Sequence, residues 1–198
     1  FSVHEYVAEA EFQQFVEATM RDRTDLQAVQ YAPLVRADQR PKVERQLAAR
    51  GHRGLITEPS AQGLQEAGPG RDYLPVIFSS PRSGNEMVYG LDALARPQTQ
   101  SVIRRARDTG MTQTGPLIQI VQGDEPALLL YTPVYKSRKV PATTPARRAT
   151  WRGIVVAVLR VDDWMAAATT AIGSDDVDLA LLDSREDPAQ TVWTNGNG

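Results

Sequence analysis

The distribution of proline and glycine constrains the fold of this chain more than any other feature. Neither residue occurs before Pro33, whereas the rest of the chain contains all 13 prolines and 14 glycines. Both residues destabilise a helix interior, so the sequence predicts its longest helix at the start. Apolar residues at near-helical spacing, among them Phe1, Phe12 and Phe15, support a helix over residues 1–29. We expect this helix to be either a stalk or a helix packed on the rest of the chain.

After Pro33 the chain is divided into short segments. Helices are predicted after Pro41, after Pro97 and after Asp162, because proline fits the first helical turn and aspartate is a good N-cap. The doubly wound alternation of strand and helix does not occur. We therefore predict an α+β fold with one or two antiparallel sheets. Extended segments and strands are predicted at residues 31–35, 54–57, 74–78, 87–91, 116–121, 127–135, 153–161, 177–182 and 191–193.

Length and composition exclude several classes of protein. A chain of 198 residues buries roughly 70% of its unfolded surface, so it needs no covalent staple. The absence of cysteine excludes thiol catalysis, cysteine-ligated zinc and iron–sulfur clusters. A net charge of -2 argues against a general nucleic-acid binder. The basic segment 136–152 is expected to be a solvated insertion, or alternatively to contact anionic lipid.

The sequence also lacks a recognisable catalytic motif. It has no Gly-x-Ser-x-Gly elbow, no glycine-rich phosphate loop and no His-Glu-x-x-His pattern. His4 and His52 lie on different predicted elements, and we expect both to be ordinary residues and not metal ligands. We therefore predict no enzyme activity, no catalytic residue, no metal site and no cofactor for this segment.

Asp92 differs from the other acidic residues. It follows the apolar run 87–91, which should be largely buried, and it precedes the helix that begins at Pro97. A carboxylate in this position either caps the turn or the helix, or faces a cavity between sheet and helix. Local sequence leaves both interpretations open.

Several segments occur in a characteristic order, namely Tyr31–Val35, Gly51–Ile56, Arg71–Phe78, Gly90–Asp92, Ala106–Gly110, Tyr131–Lys136 and Gly153–Val155. Together they resemble the CHASE domain, the extracytoplasmic sensor domain of histidine kinases, diguanylate cyclases and adenylyl cyclases. The resemblance extends from about residue 12 to about residue 170 and rests on the order and spacing of the segments.

This resemblance implies an architecture and a location. It implies a stalk helix over 1–29, a membrane-distal PAS-like subdomain with linker helices over 30–136, and a membrane-proximal PAS-like subdomain over 137–198. Because the chain begins at Phe1 and not at methionine, we expect a fragment taken from between two transmembrane helices. The domain would then be periplasmic, anchored in the inner membrane, without nucleic-acid partners, and homodimeric through the stalk.

The resemblance also implies a ligand site in the distal subdomain. Plant members bind a cytokinin, an N6-substituted adenine, through a carboxylate that matches Asp92 and a backbone group in the region 113–115. Polar residues at 112–114 would equally suit an amino acid or a small carboxylate. We expect a histidine kinase output, with a diguanylate cyclase or a ligand-free dimerisation module as alternatives. The implied site consists of Asp92, Thr112, Gln113, Thr114, Phe78, Tyr89, Leu117 and Tyr131.

Overall fold

The structure, a computed structural model, describes residues 9–21, 23, 25–119, 126–137, 139–172, 178–183 and 189–195. Its helices are α1 (Glu9–Met20), α2 (Arg40–Ala49), α3 (Pro97–Thr109), α4 (Thr144–Thr150) and α5 (Val161–Ile172). Its strands are β1 (Leu26–Pro33), β2 (Thr57–Ser60), β3 (Gly63–Glu66), β4 (Phe78–Ser80), β5 (Gln113–Thr114), β6 (Ile118–Gln119), β7 (Pro126–Tyr135), β8 (Trp151–Arg160), β9 (Ala180–Asp183) and β10 (Gln190–Thr194).

A six-stranded antiparallel sheet forms the framework of the molecule. Its strand order is β4-β1-β8-β7-β5, and β6 also pairs with β7. The long central strands are rich in apolar and β-branched residues, which suit a sheet buried on both faces. Two small hairpins, β2–β3 and β9–β10, form separate sheets. The predicted α+β class with antiparallel sheets is therefore confirmed.

The register of the central strands arranges their side chains in rows. Gln30 on β1 lies opposite Val156 on β8, and Val156 lies opposite Tyr131 on β7. In the next row that faces the same way, Val158 pairs with both Ala28 and Leu129. This face of the sheet belongs to the larger core, which also contains Ile103 of α3.

The opposite face of the sheet carries a second, smaller core. Phe12 and Val16 of α1 pack there against Val29, Tyr31 and Phe78. Both α1 residues are buried, so in this part of the chain the N-terminal helix is a packed element. Consecutive residues of β1 thus serve different cores, as alternation along a strand requires.

The N-terminal helix ends earlier than the sequence predicted. α1 ends at Met20 and β1 begins at Leu26, so the assignment of residues 26–29 to a helix was wrong. These residues complete the sheet between β4 and β8, where an extended chain buries Ala28 on one face and Val29 on the other. Phe1 and His4 lie outside the described residues, as does the Phe15 side chain.

The prediction of a strand at 87–91 was also wrong. A short 3₁₀ turn occupies Glu86–Val88, and Met87 is exposed. Gly90 has a φ of 88°, and a Cβ on it would lie 2.2 Å from the Leu55 carbonyl oxygen. This glycine is therefore required for a close crossing of two chain segments, which a pattern of apolar residues does not reveal.

The hairpin formed by β2 and β3 was missed, because the sequence predicted strands in this region at 54–57 and 74–78 alone. Strand β8, which falls within the predicted proximal subdomain of residues 137–198, lies between β1 and β7 in the large sheet. Its pairing with both neighbours means that a boundary at residue 136 would cut through this sheet.

Two arginines of the basic segment 136–152 are docked on α3 and are not simply solvated. Arg147 donates from Nε to the Asp108 carbonyl oxygen at 2.7 Å, near the end of α3. Arg148 donates from Nε and Nη2 to the Asp108 carboxylate at 2.9 and 2.5 Å. Cations are favoured at a helix C-terminus, which accounts for the position of α4.

Candidate functional site

A cavity of about 80 Å³ lies against the face of the sheet that carries Tyr131 and Val156. At roughly 10–15 Å³ for each water-sized group, it holds about five to eight such groups, the size of a small organic molecule. β1, β7 and β8 supply its floor, and the start of α3 supplies one side. Most of the wall is apolar and includes Val76, Val88, Leu91, Ile118, Leu129 and Val158.

Asp92 lies at the edge of this cavity, but its carboxylate is already bonded. Its Oδ1 accepts hydrogen bonds from the backbone N–H of Leu74 at 2.7 Å and of Leu94 at 3.0 Å. Its Oδ2 accepts one from the Arg71 guanidinium, and its side chain is 0% exposed. A buried charge must be paired and hydrogen-bonded, and these contacts meet that requirement.

Arg71 connects Asp92 to the β2–β3 hairpin, and we call Glu58, Arg71 and Asp92 the Asp92 cluster. Its second terminal nitrogen donates to Glu58 of β2 at 2.9 Å. The backbone N–H of Asp92 donates to the Thr57 carbonyl oxygen at 2.8 Å, and an isolated bridge pairs Asp92 with Pro75. Asp92 therefore connects its own segment to the segments that carry Thr57 and Leu74, which is a structural role.

Four other polar side chains line the cavity, and one of them, Thr99, is already hydrogen-bonded to the carbonyl oxygens of Ala93 and Arg96. Tyr131 is 2% exposed and Gln30 is 6% exposed. Within the part of the chain that the structure describes, neither the Tyr131 hydroxyl nor the Gln30 amide has a hydrogen-bond partner. Arg96, at the N-cap of α3, is partly buried, and its guanidinium makes no ion pair among the same residues.

The positive charge of Arg96 acts on the pKa of the Tyr131 hydroxyl. Burial raises the pKa of this phenol above its ordinary value, and the positive charge of Arg96 opposes part of the increase. The hydroxyl is therefore protonated at neutral pH and can donate a hydrogen bond into the cavity. We call Gln30, Arg96 and Tyr131 the open cluster.

Two aromatic residues of the predicted site lie outside the cavity lining. Phe78 belongs to the core on the other face of the sheet, with its ring centroid 5.8 Å from that of Phe12. Tyr89 stacks on His52 at 3.8 Å and donates from its hydroxyl to the Ser79 carbonyl oxygen at 3.2 Å. Packing and hydrogen bonding account for both residues.

The predicted polar segment after α3 is also separate from the cavity. Thr112 is exposed, with its hydroxyl oxygen 2.9 Å from that of Thr132. Thr114 pairs with Leu130 and so points away from the cavity face, whereas Gln113 pairs with Tyr131 and shares that face at its β5 edge. Leu117 is half-buried beside these residues. Of the predicted site residues, Asp92 and Tyr131 are the two that line the cavity.

Sequence reasoning missed Gln30 and Arg96. Gln30 is a polar residue within the apolar run 28–32, which would have been a signal in a strand, but the predicted helix ended at residue 29 and the predicted extended segment began at residue 31. Arg96 directly precedes Pro97, so its place at the N-cap of α3 was available from the sequence. Its position at the cavity depends on how α3 packs on the sheet.

Comparison with known families agrees with this architecture. A family model described as the CHASE domain matches residues 5–193 of the chain. The chain belongs to the CHASE family. A CHASE domain is an extracellular sensory module of signalling receptors and is not itself catalytic. A search of curated proteins found no match.

Two further observations concern the described residues. No helix among them has the length and apolar character needed to cross a membrane. The same residues contain no group of three or more histidine, aspartate or glutamate side chains placed to hold a metal ion.

Proposed function

We propose that this CHASE domain senses a small molecule in the cavity beside α3 and passes the signal to a sensor histidine kinase in the same receptor. The main support is Tyr131, a residue 2% exposed that lines the cavity and whose hydroxyl has no hydrogen-bond partner in the described part of the chain. Native proteins pair most of their buried polar groups, so an unpaired one in an apolar cavity favours a ligand site.

The proposed route of the signal starts at the cavity floor. Val156 and Val158 of β8 line the cavity, and β8 runs into α5 without a loop, because the strand ends at Arg160 and the helix begins at Val161. A ligand that favours one position of β8 would therefore shift α5 directly. The size of the shift is limited by the ligand's differential affinity for the two positions.

The proposed domain division follows from the same connection. A distal PAS-like subdomain would include β8, and a proximal one would begin near α5 and include the β9–β10 hairpin. In the full-length receptor the domain would lie in the periplasm between two membrane-spanning segments. The sequence beyond residue 198 would distinguish a kinase output from a diguanylate cyclase, the alternative.

The homodimer expected through the N-terminal helix is part of the proposal. Phe12 and Val16 face the sheet of their own chain, so a dimer would use the opposite surface of α1, which carries Gln13, Gln14 and Glu17. A ligand-free dimerisation module is the competing function, and it predicts that no small molecule stabilises the domain.

Thermal unfolding with a panel of compounds tests the sensor function. A ligand at a hundredfold excess over its Kd should stabilise the domain by about 2.7 kcal/mol. The panel contains adenine derivatives of the cytokinin type, amino acids and small carboxylates. Leu129→Phe, which fills the cavity, should abolish the stabilisation, whereas Leu130→Phe on the other face of β7 should retain it. A panel without any stabilising compound would contradict the sensor function and favour the structural module.

A further inference from the structure

We propose that the cavity takes a small organic monocarboxylate, with Arg96, Tyr131 and Gln30 binding its carboxylate and the apolar wall enclosing its body. This inference rests on the proposed sensor function and names the chemical class of its ligand. It is carried by the difference between occupied and unoccupied polar groups at the cavity.

The unoccupied groups can all donate hydrogen bonds. The guanidinium of Arg96 is a planar donor that matches the geometry of a carboxylate, and the Tyr131 hydroxyl and the Gln30 amide provide further N–H or O–H groups. Gln30 and Tyr131 stand in one row across the sheet, on either side of Val156. The two buried donors therefore flank a common floor position, with Arg96 also lining the cavity.

The start of α3 adds to the preference for an anion. Arg96 and Thr99, at the N-cap and in the first turn of this 13-residue helix, both line the cavity. The N-cap makes no side-chain hydrogen bond to the helix, and Pro97 has no N–H group to satisfy. The positive end of the helix dipole thus lies on the same side of the cavity as Arg96.

The occupied groups argue against other ligands. An amino acid would bring an ammonium group, which calls for an anionic acceptor. An adenine would bring N–H groups that the Gln30 amide oxygen could accept, but it offers no negative charge to the Arg96 guanidinium. Among the described residues, Asp92 is the one carboxylate in the cavity lining, and its oxygens already accept from Arg71, Leu74 and Leu94. Neither Arg71 nor Glu58 lines the cavity, so their charges belong to the Asp92 cluster.

The apolar wall and the volume limit the body of the ligand. Valine, leucine and isoleucine side chains form most of the surface away from the open cluster. The space for about five to eight water-sized groups suits a short aliphatic acid or a single aromatic ring. Hexanoate and benzoate are therefore suitable probes, and hexanol and benzyl alcohol are their neutral counterparts.

The experiment measures binding of these four probes to the domain by calorimetry, at constant ionic strength. We expect hexanoate or benzoate to bind at least tenfold more tightly than its alcohol. Arg96→Gln should weaken carboxylate binding by about 10- to 100-fold, as expected for loss of a charged hydrogen bond. Arg105→Gln, which removes an exposed arginine of the same helix, should leave it unchanged.

The outcomes separate this inference from the sensor function. Equal binding of acid and alcohol, or carboxylate binding that Arg96→Gln leaves intact, would overturn the carboxylate inference. Binding of adenine derivatives or amino acids, blocked by Leu129→Phe, together with no binding of either acid, would overturn it while supporting the sensor function. If no compound of any class binds, both proposals fail. Retained folding of Arg96→Gln is checked by its thermal unfolding without ligand.

Discussion

Asp92 and the open cluster line one cavity but differ in how completely their polar groups are paired. Asp92 has a hydrogen-bond partner for each carboxylate oxygen, and Arg71 links it to β2. Tyr131 and Gln30 are similarly buried but have no partner among the described residues. Burial alone would not distinguish Asp92 from Tyr131 and Gln30. Their pairing separates the group that supports the fold from the groups that are available to a ligand.

The largest expected effect tests the paired side of this comparison. Asp92→Ala should lower the free energy of unfolding by about 3 kcal/mol, because it leaves Arg71 without its buried partner and two backbone N–H groups without an acceptor. Urea denaturation measures the loss. Asp72→Ala, which removes the exposed partner of Arg36, is the control and should cost less than about 1 kcal/mol. A stable Asp92→Ala domain that has lost ligand binding would place Asp92 in the ligand site.

The next effect tests the position of the Tyr131 ring. A Cβ on Gly115 would lie 2.7 Å from Cε2 of Tyr131, so Gly115→Ala should displace the ring. We expect a loss of roughly 1–3 kcal/mol in the free energy of unfolding, as for other overpacked sites, and weaker ligand binding. Gly68→Ala, which meets no atom within 4 Å, is the matched control. Equal stability of the two variants would show that the ring has room to move.

A smaller effect concerns an acidic residue outside the cavity. Arg148 and Arg107 hold the pKa of Asp108 well below its ordinary value. A lowered folded pKa means that this carboxylate stabilises the fold above its unfolded pKa of about 4, and that the contribution is lost as the pH falls below that value. Asp108→Asn should therefore lower the free energy of unfolding by under about 1 kcal/mol at pH 7. It should also reduce the loss of stability as the pH falls below about 4. An unchanged loss of stability at acid pH would contradict this role.

The smallest expected effect tests the open side of the comparison. Tyr131→Phe should leave the free energy of unfolding of the unliganded domain within about 0.5 kcal/mol, because the hydroxyl has no hydrogen-bond partner to lose among the described residues. The same substitution should weaken carboxylate binding roughly three- to tenfold. Thermal unfolding and calorimetry measure the two quantities separately. A loss of stability above about 1 kcal/mol would show that the hydroxyl already supports the fold.

Elements with a strong local signal could be predicted from the sequence. The helix after Pro97, capped by Gly110, and the apolar strands β7 and β8 were expected near their observed bounds. Residues 26–29 and 87–91 were not, because the first segment takes its conformation from pairing with β8 and the second from the approach of Gly90 to Leu55. Both causes are contacts between distant parts of the chain.

The site was predicted less completely than the fold, for a related reason. Sequence identified Asp92 as unusual and left open whether it caps a turn or faces a cavity. Which polar group is already bonded depends on Arg71 and on backbone N–H groups from another segment. Gln30 joins the cavity through strand register alone, and register is set by the whole sheet.

Strand β1 separates the cavity from the N-terminal helix by the thickness of a single strand. Gln30 faces the cavity, while its neighbours Val29 and Tyr31 contact the residues of α1. A movement of Gln30 on ligand binding would therefore occur one residue away from Val29 and Tyr31, which pack against α1. The N-terminal and C-terminal ends of the domain could in this way respond to one binding event through two different strands, β1 and β8.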